Sequence, residues 1–312
     1  MPSPTFTITP SGPFSLAEAA TFGFGQRGGG DWDGVLRLAF CLDGYSQQVG
    51  VEVRQDEAGD VHGTLGEPAG LDLDLVRHQV GRVLSLDHDG TEFTAVGERD
   101  PVIGRLQATA PGLRPPLFYS PYEAAAWSVL SARQPARQMM AVREQLSAAH
   151  GAVFDLAGQR LAALPTPGQL LRVESFPAIA PEKMRRLHGV AQAALDGRLD
   201  ADRLLGLGPE RAMTQLQEIS GIGPFYSSLI VIRGTGFADV LPISEPRALA
   251  MAGRLYQLDS PVTQAQLVDL AEPWRPLRTW AIVLIRAAGP RLLGEDPASS
   301  ARPGRRPAAP AD

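Results

Sequence analysis

Residues 216–245, LQEISGIGPFYSSLIVIRGTGFADVLPISE, constrain this chain more than any other stretch. Leu216 to Ile219 read as the end of one helix, and Ser220-Gly221-Ile222-Gly223 as a tight turn. Pro224 then opens a second helix, at the position where proline's fixed φ and missing N–H cost nothing. Glycines at 221 and 223 allow the backbone to turn sharply and another molecule to come close. The amides that open the second helix make a ready anion site. A plain helical hairpin is the competing reading of Gly-Ile-Gly taken alone. What raises the stretch above a packing motif is its second half, Gly236-Phe237-Ala238-Asp239-Val240-Leu241-Pro242 followed by Glu245. An anion-gripping turn and a carboxylate then share one short piece of chain.

Composition narrows the classes open to such a motif. The 312 residues are enough for two ordinary domains with real cores. Hydrophobic content of 44% and charged content of 20% fit a soluble globular chain. The N-terminus shows no charged-then-apolar pattern and no apolar run approaches 20 residues, so a cytoplasmic protein without a membrane span is expected. One cysteine, Cys41, leaves no internal disulfide or thiolate cluster, and the five histidines lack metal-ligand spacing. A net charge of −5 argues against nonspecific coating of DNA and leaves a local basic face open. Arginine supplies all but one of the 29 basic residues, and Lys183 is the single lysine.

Two periods divide the chain. Residues 1–112 alternate apolar and polar side chains at 5–8, 35–40 and 49–53, with Gly/Asp-rich turns between them, and 71–86 carries a helical face of Leu75, Val76, Val80, Val83 and Leu84. This predicts an α+β N-terminal domain with an antiparallel sheet. From 113 to 290 the period becomes helical. Ser120-Pro121 with Glu123 reads as a capping box, and further helices are predicted over 136–149, 168–173, 181–196, 209–219, 224–233, 245–257, 264–271 and 277–288. Residues 291–312, rich in Ala and Pro, read as a disordered tail; Arg302, Arg305 and Arg306 there could add loose phosphate attraction.

The hairpin with its downstream acid resembles the helix-hairpin-helix DNA glycosylase superfamily, most closely the bacterial 3-methyladenine DNA glycosylase II family. Further landmarks are Arg114-Pro115-Pro116-Leu117-Phe118, Ser120 to Glu123, Trp127 to Gln134, Leu164-Pro165-Thr166-Pro167, Trp274-Arg275-Pro276-Leu277-Arg278 and, less specifically, Gly12-Pro13-Phe14-Ser15-Leu16. The resemblance covers roughly residues 5–290. It implies an all-α helix-hairpin-helix glycosylase domain after the sheet domain, and a monomeric bacterial base-excision-repair enzyme, associated with the nucleoid when bound to DNA. Such an enzyme acts on double-stranded DNA with damaged bases, flips out an alkylated purine such as 3-methyladenine, and hydrolyses its N-glycosidic bond to leave an abasic site.

The same resemblance distributes roles. Glu245 falls where the family has its catalytic aspartate, so it is the expected catalytic carboxylate; Asp239 is the alternative, and capping of the next helix is the bland reading of Glu245. The extra methylene moves the charge by about 1.5 Å, and a misplacement of about 1 Å can cost roughly a hundredfold in rate. Gly221, Ile222 and Gly223 would hold DNA phosphate. Gln134-Pro135 match the loop whose side chain fills the gap left by the flipped base, a part Pro135 could play as an apolar wedge, with the flanking Arg133 and Arg137 on phosphates; a simple turn is the alternative there. Phe225, Leu229 and Arg286 fall on base-pocket positions, with Phe225 equally readable as core. Arg286 replaces a stacking tryptophan of the family, and a cation there would repel a charged alkylated base. Phe225 also stands where bifunctional relatives carry a Schiff-base lysine, which implies a monofunctional enzyme. No catalytic cofactor is implied; backbone carbonyls of Gln217, Ile219 and Ile222 could hold a structural sodium or potassium ion. Loss of turnover, leaving a damaged-DNA-binding protein, and a preference for a neutral oxidised or deaminated base are the alternatives.

Overall fold

The computed structural model describes residues 3–22, 32–66, 70–242, 245–258 and 261–295. Of the tail expected over 291–312, Arg291 and Leu292 instead close the last helix, and the part beyond 295, with Arg302, Arg305 and Arg306, lies outside the described residues.

Four strands, β1 (Thr5–Ile8), β2 (Leu36–Cys41), β3 (Gln48–Gln55) and β4 (Val61–Leu65), form an antiparallel sheet in the order β1-β4-β3-β2. Helix α1 (Leu16–Thr21) enters between β1 and β2. Helix α2 (Leu73–Val83), capped by Asp72, lays Val76, Val80 and Val83 on one sheet face, against Leu38, Phe40, Val49, Val51 and Val61. Sequence periodicity gives this arrangement directly. Helices α3 (Gly90–Arg99) and α4 (Pro101–Thr109) follow.

The helical part begins with α5 (Pro121–Ser131), which is buried from Pro121 to Leu130 and so runs through the middle of the molecule. Ser120 accepts the Glu123 amide at 3.2 Å, as a capping residue should, while the Glu123 carboxylate turns inward to accept the Cys41 amide at 3.1 Å and Arg143 Nη2 at 2.7 Å. Only the Ser120 half of the expected capping box forms; the Glu123 side chain serves instead as a buried link from the last residue of β2 to the helices. After α6 (Ala136–His150) comes an unexpected hairpin, β5 (Val153–Leu156) and β6 (Gln159–Ala162), packed on the outer face of the sheet. Gly50 makes room for it, since a Cβ there would sit 2.5 Å from Phe154. The chain continues through α7 (Pro167–Leu170), α8 (Pro181–Leu195), α9 (Ala201–Leu207), α10 (Pro209–Gln217), α11 (Pro224–Ile230), α12 (Pro246–Leu255), α13 (Gln264–Leu270) and α14 (Arg278–Leu292).

Three large cores, besides the small one under the β5–β6 hairpin, hold the described residues together. One lies between sheet, α1 and α2; a second joins α5 to α11; a third joins α3 and α4 to α12–α14. In the third, Phe93, Val96, Ile103 and Leu106 pack with Leu255, Trp274 and Trp280. This core therefore spans the composition break at 112. Trp274 is fully buried and donates to Asp100 at 2.8 Å, and Trp280 packs edge-on to Phe93, so both tryptophans are structural. No helix among the described residues is long and apolar enough to cross a membrane.

Candidate active site

The hairpin forms as its residues dictate. Gly221 takes φ +94°, closed to ordinary side chains, and a Cβ there would come within 2.9 Å of Arg186 Cδ. Gly223 has φ −93° and nothing within 4 Å of a notional Cβ, so its lack of a side chain leaves open space in front of the turn. Ile222 is buried and anchors the turn, its amide donating to the Ile219 carbonyl at 3.0 Å. Pro224 is the first residue of α11, whose opening amides have no partner within the helix. Phe225, one residue on, is 51% exposed although strongly apolar.

Phe225 overhangs a cleft of about 730 Å³ at the meeting point of the three cores. Phe225, Ser228 and Leu229 of α11 form one wall, and Ile282, Val283, Arg286 and Arg291 of α14 another. Trp127 and Ala136 close the side next to the Gln134-Pro135 loop. Thr21, Phe22 and Glu18 bring the end of α1 into the same space. Immediately after α11 the chain makes a π-helical turn, Val231–Thr235, ended by Gly236 at φ +98°. Such a turn breaks helical register and is common at functional sites. Here it brings Arg233 to the cleft, where its guanidinium donates to the Pro116 carbonyl and stacks 5.5 Å from the Phe22 ring.

Glu245 lines this cleft and has two other engagements. As N-cap of α12 it accepts the Ala248 amide at 2.6 Å and the Arg247 amide at 3.3 Å, a sound use of an anion at a helix N-terminus. Its Oε2 also lies 3.4 Å from Arg286 Nε. The side chain keeps 27% exposure, so the carboxylate is capped, paired and open to the cleft together. Burial pulls the Arg286 guanidinium below its ordinary value and Glu245 opposes that. Asp239 is placed differently. It is clamped by Arg278 Nε at 2.8 Å and Arg275 Nη1 at 2.9 Å, away from the cleft lining, which makes it a brace between the π turn and α14.

The loop from α5 to α6 stands beside the cleft. Arg133, Gln134, Pro135 and Arg137 are exposed, and Arg133 holds φ +57°, uncommon for a residue with a side chain. The lone lysine lies behind this loop. Lys183 Nζ donates to the Leu130 and Ala132 carbonyls at 2.5 and 3.1 Å, tying down the C-terminal end of α5 where a cation is favoured. Burial, then the nearby Arg186, lowers its pKa.

Of the residues singled out from sequence, then, Glu245, Phe225, Leu229 and Arg286 meet in one cleft, with the 133–137 loop at its edge through Ala136, while the hairpin glycines are not among its lining and precede the helix that carries Phe225. Phe22, Glu18, Arg233 and Arg291 were not foreseen. Their arrival depends on tertiary packing and on a π turn, neither of which leaves a periodic trace.

No family model matches the chain. It is 27% identical over 212 residues to the "Probable bifunctional transcriptional activator/DNA repair enzyme AlkA" of Mycobacterium tuberculosis, covering 67% of this chain and 42% of that protein. It is 22% identical over 200 residues to the "DNA-3-methyladenine glycosylase" of Bacillus subtilis, covering 63% of this chain and 66% of that protein. The matched region thus spans less than half of the first relative and just under two thirds of the second. Among solved structures, the 3-methyladenine DNA glycosylase from Archaeoglobus fulgidus superposes with a TM-score of 0.71 at 17% identity, over 90% of this chain and 96% of that one. The 8-oxoguanine glycosylase/lyase of Clostridium acetobutylicum gives 0.62 at 17% identity, over 92% of this chain and 100% of that one. In sequence the chain is similar to these DNA repair proteins, and its fold is that of the solved DNA glycosylases on which it superposes.

Proposed function

We propose that this protein is a monofunctional DNA glycosylase that hydrolyses the bond between a damaged purine and its sugar in duplex DNA. The carrying observation is one arrangement: the exposed Phe225, in the first turn of the helix that the Gly221–Gly223 turn leads into, and the Glu245 carboxylate line a single cleft. In this reading the hairpin amides hold the backbone, Pro135 of the Gln134-Pro135 loop fills the gap left by the flipped nucleotide, and the flanking Arg133 and Arg137 contact phosphates. The base stacks against Phe225 beside Leu229 and Arg286. Glu245 stabilises the positive charge that builds on the sugar as the bond to the base breaks. Carbonyls of Gln217, Ile219 and Ile222 would hold a sodium or potassium ion against the phosphate. The Ile219 oxygen, though it accepts the Ile222 amide, keeps a second lone pair for it. The relatives' names bring 3-methyladenine forward as substrate; Arg286 in the cleft raises the neutral-base alternative.

A 30-mer duplex carrying one damaged purine tests the reading. Incubation with enzyme in excess is expected to give an abasic strand that breaks only after alkali, with no borohydride-trapped adduct, since Phe225 stands at the Schiff-base position and Lys183 is bound to the end of α5. Intact strands across a panel of damaged purines would overturn it. A second reading, a damaged-DNA-binding protein without turnover, is favoured by one observation, the engagement of Glu245 as cap and ion-pair partner. It predicts tight lesion binding and no cleavage even in Glu245→Asp.

The hairpin's part is tested separately. Gly221→Ala forces a side chain into the left-handed region at a cost of about 1–2 kcal/mol, and drives its Cβ into Arg186. Affinity for damaged and undamaged duplex, read by fluorescence anisotropy, should fall by the same factor, because phosphate contacts are blind to the base. Unchanged affinity would remove the turn from the DNA interface.

A further inference from the structure

Five charged side chains line the cleft: Glu18 and Glu245 against Arg233, Arg286 and Arg291. Glu18 is matched by Arg291 at 2.9 Å, and Glu245 faces Arg286 Nε at 3.4 Å. Arg233 is buried beneath Phe22. The Glu245 carboxylate is therefore partly neutralised by a guanidinium that lines the same cleft. This is poor ground for a base that arrives with a fixed positive charge. A guanidinium has five N–H donors and no acceptor. The Glu245 contact engages Nε, which leaves the terminal groups of a side chain that lines the cleft and is 34% exposed.

Leaving-group chemistry points the same way. In hydrolysis the C1′–N9 bond breaks with its electron pair passing to the purine. Water oxygen bonds to C1′; the water's proton ends on the departing purine when that purine is uncharged, and is released to solvent when the purine carries a fixed positive charge. A purine with a fixed positive charge leaves as a neutral molecule and needs little assistance. An uncharged purine accumulates negative charge as it leaves, and a donor cation against its ring or carbonyl stabilises that charge where it develops.

Resting on the glycosylase reading above, we propose that Arg286 sets the substrate class of this cleft. It favours uncharged purines bearing a carbonyl acceptor, whether deaminated or oxidised, and disfavours purines with a fixed positive charge. Arg286 acts by donating to the base while offsetting the field of Glu245.

The test compares single-turnover excision of hypoxanthine, 8-oxoguanine and 7-methylguanine from otherwise identical duplexes by wild type, Arg286→Gln and Arg286→Trp, with thermal unfolding as a folding check. Wild type should cleave at least one of the two uncharged lesions about tenfold or more faster than 7-methylguanine, a factor in keeping with a guanidinium beside the base in a half-buried site. Both variants should reverse that order. A wild-type preference for 7-methylguanine overturns the inference while leaving the glycosylase reading intact. So does an equal loss on every lesion in the variants, which would make Arg286 a structural prop. Absence of product from all three duplexes takes down the glycosylase reading itself, and the inference with it.

Discussion

Glu245→Gln is expected to lower the rate of base excision by a factor of about a hundred to a thousand, the scale on which losing one preorganised electrostatic group acts. Damaged-duplex affinity should be preserved. Glutamine is the informative substitution because Glu245 has a structural duty as well. Its oxygens cap α12 through the Ala248 and Arg247 amides. Removing a cap altogether costs about 1 kcal/mol, which in Glu245→Ala would mix instability with lost chemistry. The amide oxygen of glutamine can still accept from the Ala248 amide while the negative charge disappears. Single-turnover rates on the best lesion, set beside anisotropy on the same duplex, separate the two contributions. Retention of activity within about threefold, well below that electrostatic scale, would mean that the charge at 245 is not what stabilises the sugar cation. Since Asp239 is clamped by Arg275 and Arg278 outside the cleft lining, attention would then pass to bound water and to Glu18. Glu245→Asp is the complementary variant. Aspartate caps helices as well as any residue, but it withdraws the carboxylate from Arg286. If that ion pair holds the charge back, the shorter acid should work at least as well as the native one.

Much of this site can be read in the chain, and the reason is local. Ser220 to Pro224 and the cap position of Glu245 are settled by neighbours only a few residues away, through backbone preferences that operate in any context. The alternation in β2–β4 and the apolar face of α2 are local in the same sense. What cannot be read locally is the meeting of segments distant in sequence. Phe22 ends a helix of six residues and reaches the cleft through the packing of α1 on the rest of the fold. Arg233 faces the cleft because a π turn interrupts the periodicity of α11. The β5–β6 hairpin has strands of only four residues, and only β5 alternates buried with exposed positions, too short a pattern to stand out from a loop. Helices α3 and α4 approach so closely that a Cβ on Gly104 would meet the Gly97 carbonyl at 2.8 Å. A glycine serving as a helix contact is indistinguishable in sequence from one serving as a turn.

Glu123→Ala should cause the largest loss of stability of any single substitution in the molecule's interior. The Glu123 side chain is fully buried and its partner Arg143 is only 8% exposed, at 2.7 Å. Removing the carboxylate leaves a buried guanidinium without its counter-charge and the Cys41 amide without its acceptor. Breaking a buried pair in this way costs about 3–5 kcal/mol, a large share of the roughly 5–15 kcal/mol that holds a typical protein together. Urea unfolding should show the midpoint falling with little change in slope. A loss below about 1 kcal/mol, the scale of an exposed pair, would mean that water reaches Arg143 and that the link is peripheral. The double substitution Glu123→Met with Arg143→Met separates the charge from the packing. Well-packed apolar replacements of a buried pair are often neutral or stabilising, so the double variant should recover most of the loss. Excision is where the two losses ought to part. Glu123 ties the end of β2 to the first turn of α5, and the far end of the same helix, pinned by Lys183, carries the Arg133–Pro135 loop beside the cleft. If the ion pair sets the position of α5 as well as holding the two parts together, the double variant will be stable yet slow, with its deficit in rate rather than in DNA affinity.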